Sequence, residues 1–268
     1  MTAVGRSRSA ATAGRTPSRL ARYAEVARRL RLVRWLAIAG VVTATLPYYE
    51  LRGLADETAV PRQELVVWLE TLAAGGATPT EWLQEWFYSA GVFSWFDWIW
   101  LLVYAHWFTA ATIGMAYVAG WHWRRFRSLA VTWFVLFYGA LIWFALMPTE
   151  PPWMALDVTR VVHEAASVVK VDSNTVAALP SLHVGLPAMF ALWAGSARLP
   201  RMAAAFWVFT ALTAFSVVYL GEHYVLDGVA GVAWAWLAVR VAARWAPAAA
   251  AETPPAEAGQ PPEAKRAA

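Results

Sequence analysis

The chain has 268 residues, 59% of them hydrophobic and 15% aromatic, including 18 tryptophans, and only 15% are charged. Soluble globular domains carry about 25% charged residues. The deficit, with a mean hydropathy of +0.43, argues against a soluble enzyme, a disordered regulator and a nucleic-acid binder, despite a net charge of +4 and a pI near 9.6.

Met1–Ser18 is rich in Arg, Ser, Thr and Ala and reads as disordered. Arg19–Arg34 follows as a basic helix suited to an anionic inner leaflet. Its charged lead is too long for a cleavable signal, so the first apolar segment reads as an anchor. Runs of about 20 apolar residues predict membrane helices. Six are found, at Leu32–Tyr49, Trp98–Gly120, Leu129–Met147, Ser181–Ala197, Met202–Leu220 and Val225–Trp245. Between the first two, Arg62–Ala73 and Glu81–Tyr88 mix Trp, Leu and Phe with Glu and Gln, the pattern of helices lying on a membrane surface. Thr78-Pro79-Thr80-Glu81 supplies the second with an N-cap, a first-turn proline and a Glu three residues on. Most tryptophans fall at predicted span ends, as in an interfacial aromatic belt. Pro247–Ala268, rich in Ala, Pro and Glu, reads as a disordered tail. The expected fold is an all-α polytopic membrane protein. It divides into a basic N-terminus (1–31), a six-helix bundle with interfacial amphipathic helices (32–246) and a tail (247–268).

Charge predicts the orientation. With the N-terminus cytoplasmic, 18 of the 22 basic residues lie inside, and only Arg52, Arg62, Arg160 and Lys170 lie outside. Fourteen of the 18 acidic residues take the opposite side. Every inner loop then satisfies the positive-inside rule. Both termini are expected in the cytoplasm of an integral protein, with the plasma membrane as its site and the chemistry on the extracytoplasmic face.

Two ionisable clusters arrive at that outer face. Ala178-Leu179-Pro180-Ser181-Leu182-His183 opens the fourth span, and Gly221-Glu222-His223-Tyr224-Val225-Leu226-Asp227 joins the fifth to the sixth. Ionisable groups beside hydrocarbon are costly and mark function. His223 and Asp227 are four apart and share a helix face, so the carboxylate can fix the imidazole tautomer. His223 then reads as a nucleophile and Asp227 as its orienter. Ser181 is placed to cap a helix whose N-terminal N–H groups favour an anion, and His183 to act as general acid. Together these groups point to phosphoryl transfer without a metal or other cofactor. A facial triad of the two histidines and the aspartate is the competing metal-hydrolase reading, in which Ser181 has no role. A non-catalytic lipid-binding protein on the same bundle is a third, and it would be expected to lack one of the three core residues.

The stretch Asn174-Thr175-Val176-Ala177-Ala178-Leu179-Pro180-Ser181-Leu182-His183, together with Val218 through Asp227, resembles the second and third signature motifs of the type 2 phosphatidic acid phosphatase superfamily of membrane phosphatases and phosphotransferases. Pro148-Thr149-Glu150-Pro151-Pro152-Trp153, Pro79 through Gln84 and Tyr104-Ala105-His106 resemble its inositol-phosphorylceramide-synthase-like branch. The resemblance implies a phosphohistidine at His223 and an acid at His183, and a lipid phosphate as substrate, with water or a polyol such as inositol as acceptor. Two departures stand out. Ser216-Val217 replaces the family's Ser-Arg, and its Lys…Arg-Pro first motif is absent. The phosphate-binding cation is therefore sought among the four outer basic residues, with Arg160 first and Lys170 second. Asn174 is a further phosphate-binding candidate.

Overall fold

The computed structural model describes residues 19–58, 60–90, 92–164 and 176–247. The expectations for Met1–Ser18, for Lys170 and Asn174, and for the tail after Pro247 fall outside these residues. The chain is built from helices α1 (Arg19–Thr43), α2 (Leu46–Thr58), α3 (Glu64–Ala74), α4 (Pro79–Phe87), α5 (Trp95–Ala105), α6 (Trp107–Trp121), α7 (Trp123–Leu146), α8 (Pro152–Ala155), α9 (Val161–Glu164), α10 (Leu182–Ser196), α11 (Pro200–Tyr219) and α12 (Val225–Trp245). Among the described residues the β-pairing is one parallel bridge between Thr149 and Ala177.

Four stretches are long and apolar enough to cross a membrane: Arg31–Gly53, α7, α11 and α12. The α5–α6 pair makes a fifth if its 45° bend at His106 lies within one span. The architecture is thus an all-α polytopic membrane protein, with boundaries that differ from expectation in three places. The first span breaks at Ala44–Thr45, where Pro47 enters the first turn of α2, a position that needs no N–H donor. The second breaks at His106. The fourth, α10, has 15 residues and a length of about 22 Å at 1.5 Å per residue, short of a full crossing. Its surroundings explain the length. It packs against α6, α7, α11 and α12 and is buried along almost its whole course. Its N-terminal end is buried in protein, whereas Gly195 and Ser196 at the other end are exposed.

The core around α10 includes Leu129, Trp133, Phe137, Phe190 and Trp193, all essentially inaccessible. Two of the tryptophans thus leave the aromatic belt for the interior, where their indole N–H groups are satisfied. Trp133 Nε1 donates to Thr45 Oγ1 at 2.9 Å and Trp193 Nε1 to Ser128 Oγ at 3.2 Å. The α10–α12 contact is closer still. A Cβ on Gly231 would lie far inside 3.0 Å of the Ser181 carbonyl oxygen, so the two backbones touch only because this residue has no side chain.

The two surface segments form as expected, one residue or two displaced. α3 exposes Leu65, Trp68, Leu69 and Leu72 on one face and buries Val66 and Glu70 on the other. α4 exposes Trp82, Trp86 and Phe87 and buries Thr80 and Gln84. The Thr78–Glu81 capping box closes α4: the Thr78 N–H donates to Glu81 Oε2 at 2.7 Å, and the Glu81 N–H returns to Thr78 Oγ1 at 3.4 Å. A second box at Ser94 and Asp97 opens α5. Both surface helices thus turn their apolar stripe outward and polar side chains inward, Glu70 from α3 and Thr80 and Gln84 from α4, the reverse of a soluble amphipathic helix.

Candidate active site

The site lies where the start of α10 meets the α11–α12 connection. Ser181 caps α10 with extended backbone, its hydroxyl accepting from the Val184 N–H at 3.4 Å. The Ser181 N–H donates to the Asp227 carbonyl at 2.9 Å, tying this cap to the first turn of α12. The approach to Ser181 is itself clipped. Thr149 N–H donates to Val176 O at 2.8 Å and Ala178 N–H to Thr149 O at 3.1 Å, so the Pro148–Pro152 stretch holds the extended segment that leads into the cap. On the other side, Gly221 takes a left-handed φ of +79° that turns the chain back after α11 and lets Trp153 donate to its carbonyl at 3.2 Å.

These connections bring the two histidines, forty residues apart in sequence, into direct contact. His183 Nδ1 lies 2.9 Å from His223 Nε2, and His223 Nδ1 lies 3.4 Å from Asp227 Oδ2. Assigned from this network, a proton on His223 Nδ1 faces Asp227. His223 Nε2 then keeps its lone pair and accepts from His183 Nδ1–H. Asp227 is fully buried, and its Oδ2 also accepts from the Tyr224 N–H at 2.9 Å, a bond that fixes the carboxylate more firmly than the long contact to the ring. Because His183 and Asp227 occupy opposite nitrogens of His223, the three side chains form a relay and do not converge on one point.

The His183 ring is held between aromatic groups. Tyr104, at the end of α5, stacks on it at 4.9 Å between centroids, and Trp107, just past the bend, leans against it at 4.6 Å. Tyr104 and Trp107 flank the break at His106, and both reach this imidazole. His106 itself bonds back to Leu102 O at 2.7 Å, and His122 is a loop residue, neither of them at the site.

Arg160 is held by Glu222, the residue before His223. Its guanidinium grips Glu222 through two bonds, Nε to Oε1 at 2.7 Å and Nη2 to Oε2 at 3.1 Å, and lies over the Trp153 ring at 4.3 Å. Nη1 is 3.0 Å from His163 Nε2. The cleft in front of the histidines is lined by His183, His223 and Glu222, with Arg52, Tyr48 and Tyr49 from α2 facing them. Of the four cations set apart by the charge count, three lie among the described residues, and of these Arg52 lines that cleft. It stacks on Tyr48 and Tyr49 at 5.9 and 5.4 Å, contacts that aim its guanidinium from a neighbouring helix.

Sequence reasoning passed over a third layer. Glu70 of α3 is buried and accepts from the Leu226 N–H at 2.6 Å, at the first turn of α12. Its desolvation raises its pKa to about 7 from 4.5. The nearby Asp227 charge adds to the rise, and the N–H groups of Leu226 and Val225 oppose it. Since the folded state holds this proton more tightly than the unfolded chain, Glu70's contribution to stability is greatest below pH 4.5 and is lost as pH rises toward 7. Glu70→Gln keeps an acceptor for Leu226 and removes the titration. The melting temperature of the variant in detergent should therefore gain on wild type as pH rises from about 5 to 8; a difference that stays constant with pH would contradict this.

Fold and site together define a polytopic helical membrane protein with two contacting, partly buried histidines and a buried aspartate where α10 meets the α11–α12 connection. A family model described as the PAP2 superfamily matches residues 72–241. The chain belongs to the PAP2 superfamily, and a phosphoesterase-type function follows from that membership. No curated protein and no solved structure matches it significantly.

Proposed function

We propose that the protein transfers or hydrolyses the phosphoester of a membrane lipid through a phosphohistidine on His223, with water or a polyol such as inositol as acceptor. The observation that carries this is the relay itself: a buried carboxylate on one nitrogen of His223, and a second histidine 2.9 Å from the other. In the first half-reaction the phosphate enters between the two rings in place of their mutual bond, and His183 acts as the imidazolium. The freed Nε2 lone pair attacks phosphorus, the phosphorus–oxygen bond to the lipid breaks, and His183 gives its proton to the departing oxygen and is left neutral. In the second, His183 takes a proton from water or an alcohol. That oxygen attacks phosphorus, and the P–N bond breaks to restore His223. Asp227 stabilises the imidazolium character that develops on attack. The first-turn N–H groups of α10 beyond the Ser181 cap supply dipole for the phosphoryl oxygens.

We assign the phosphate-binding cation to Arg52. Arg160, the expectation from sequence, holds Glu222, the residue before His223. Arg52→Ala should raise KM for a lipid phosphate by roughly 10- to 100-fold, the 1.5–3 kcal/mol of a charge-assisted hydrogen bond, and Arg52→Lys should recover part of the loss. A KM unchanged in Arg52→Ala returns the role to Arg160. The whole reading is tested by purified protein in vesicles carrying labelled lipid phosphates, with and without inositol. Label released as phosphate identifies a phosphatase, label carried onto inositol a transferase, and neither from wild type refutes the reading. The proposed orientation, with both termini cytoplasmic, is tested by a reporter fused after Ala268. An extracytoplasmic signal inverts it.

A further inference from the structure

The side chain of Gln84 has no part in the relay, yet it touches both segments that flank it. It is 7% exposed and extends from the inward face of α4. Its Nε2 donates to Thr159 O at 2.8 Å and to Tyr219 O at 3.0 Å, while its Oε1 accepts from the Thr159 N–H at 2.8 Å. Both donor hydrogens and one acceptor of a single carboxamide are thereby used on backbone. The positions of these partners matter. Thr159 precedes Arg160, which grips Glu222, and Tyr219 ends α11 three residues before Glu222 and four before His223.

The same junction is closed by other bonds that leave it little room. Val161 donates to Leu220 O at 3.3 Å, and a Cβ on Gly221 would meet Thr159 O at 2.9 Å and Gln84 Nε2 at 3.4 Å. The Tyr219 hydroxyl donates to the buried Asp97, whose other oxygen accepts from the Ser94 N–H and hydroxyl in the α5 cap. Tyr219 is thus anchored by its side chain to α5 and by its carbonyl to α4. Unpaired buried carbonyls are expensive, so Gln84 removes the incentive for this turn to reopen toward solvent.

From this geometry we propose that Gln84 is a positioning residue: it clamps the Thr159 and Tyr219 backbones so that the Arg160–Glu222 pair and His223 stand in fixed register. The proposal deepens the phosphoryl-transfer reading and rests on it only for its kinetic consequence. A displacement of about 1 Å at reacting groups costs on the order of 10²-fold in rate. A lost clamp should therefore lower kcat while leaving phosphate binding at the cleft nearly intact.

The test uses the full-length protein in vesicles with wild type, Gln84→Leu, Gln84→Glu, Glu222→Gln and the double variant Gln84→Leu/Glu222→Gln. Gln84→Leu keeps bulk and removes all three bonds; Gln84→Glu keeps the acceptor for Thr159 N–H and turns a carboxylate on the two carbonyls. Both should lower kcat per folded molecule about 10- to 100-fold with KM within about threefold. The double variant should be no slower than the slower single, because both changes act through one junction. Wild-type kcat per folded molecule in Gln84→Leu, or losses that multiply in the double variant, overturns the proposal. Backbone hydrogen exchange supplies a readout that does not depend on turnover. Gln84→Leu should speed exchange at Thr159 and across 219–223 by at least about tenfold over the rest of the bundle. Unchanged exchange there overturns the clamp, even if wild type shows no phosphoester chemistry; faster local exchange with an inactive wild type upholds the clamp and refutes the function.

Discussion

His223→Ala is expected to lower phosphate release or transfer by at least about a thousandfold while the protein still folds. The ring contributes little to the core beyond its contacts with His183 and Asp227, and it is replaced at a turn rather than inside a helix. What is lost is the group that the surroundings are arranged around. Without it, Asp227 keeps the Tyr224 N–H but has no imidazole to orient, and His183 faces an empty space in front of Tyr104 and Trp107. Asp227→Asn is a gentler cut at the same point. It leaves the ring and an oxygen that can accept from both the Tyr224 N–H and Nδ1–H, but removes the negative charge that stabilises the imidazolium, and should cost about 10²- to 10⁴-fold by analogy with other oriented histidines. Turnover by His223→Ala at wild-type rates would leave the relay without a purpose.

Gly231→Ala is the second large effect, and it acts through packing. The added methyl cannot be accommodated by turning a side chain, because the atom it meets is the Ser181 carbonyl and the Gly185 N–H lies next to it at 3.2 Å. The helices must separate. Overpacking of this kind costs roughly 1–3 kcal/mol, or a fall in melting temperature of about 2–12 °C for a chain of this size. The loss of activity should exceed the loss of stability. Ser181 N–H bonds the Asp227 carbonyl across this contact, and the His183–His223 distance depends on the same approach. A Gly231→Ala protein with wild-type melting and turnover would show that α10 and α12 have slack that the backbone contact denies.

The parts of this site that were legible in the sequence are those encoded locally. α12 begins and ends where its apolar run does, and Ser181, His183, His223 and Asp227 declare themselves as polar groups at the mouths of apolar helices. The surface helices were legible too, because a capping box and a mixed Trp/Glu pattern need only a few adjacent residues. What did not show is set by contacts distant in sequence. The shortness of α10 follows from being surrounded by other helices, and the bend at His106 shows in neither composition nor periodicity. Charge counting narrowed the phosphate cation to four residues but could not see that Glu222 would hold Arg160 while α2 brings Arg52 to the cleft. Gln84 and Glu70 look like ordinary polar positions of amphipathic helices. Only the fold reveals that their helices are turned with the apolar face outward, so that these two side chains meet the segments flanking His223.

Rapid denaturation of the protein during turnover of a lipid labelled at phosphorus, followed by mapping of the label, tests for the phosphohistidine itself. The account predicts an acid-labile, base-stable phosphoryl group on His223 in wild type and none in His223→Ala. A labelled residue other than His223, or wild-type turnover with no label on the protein at any time, would contradict it.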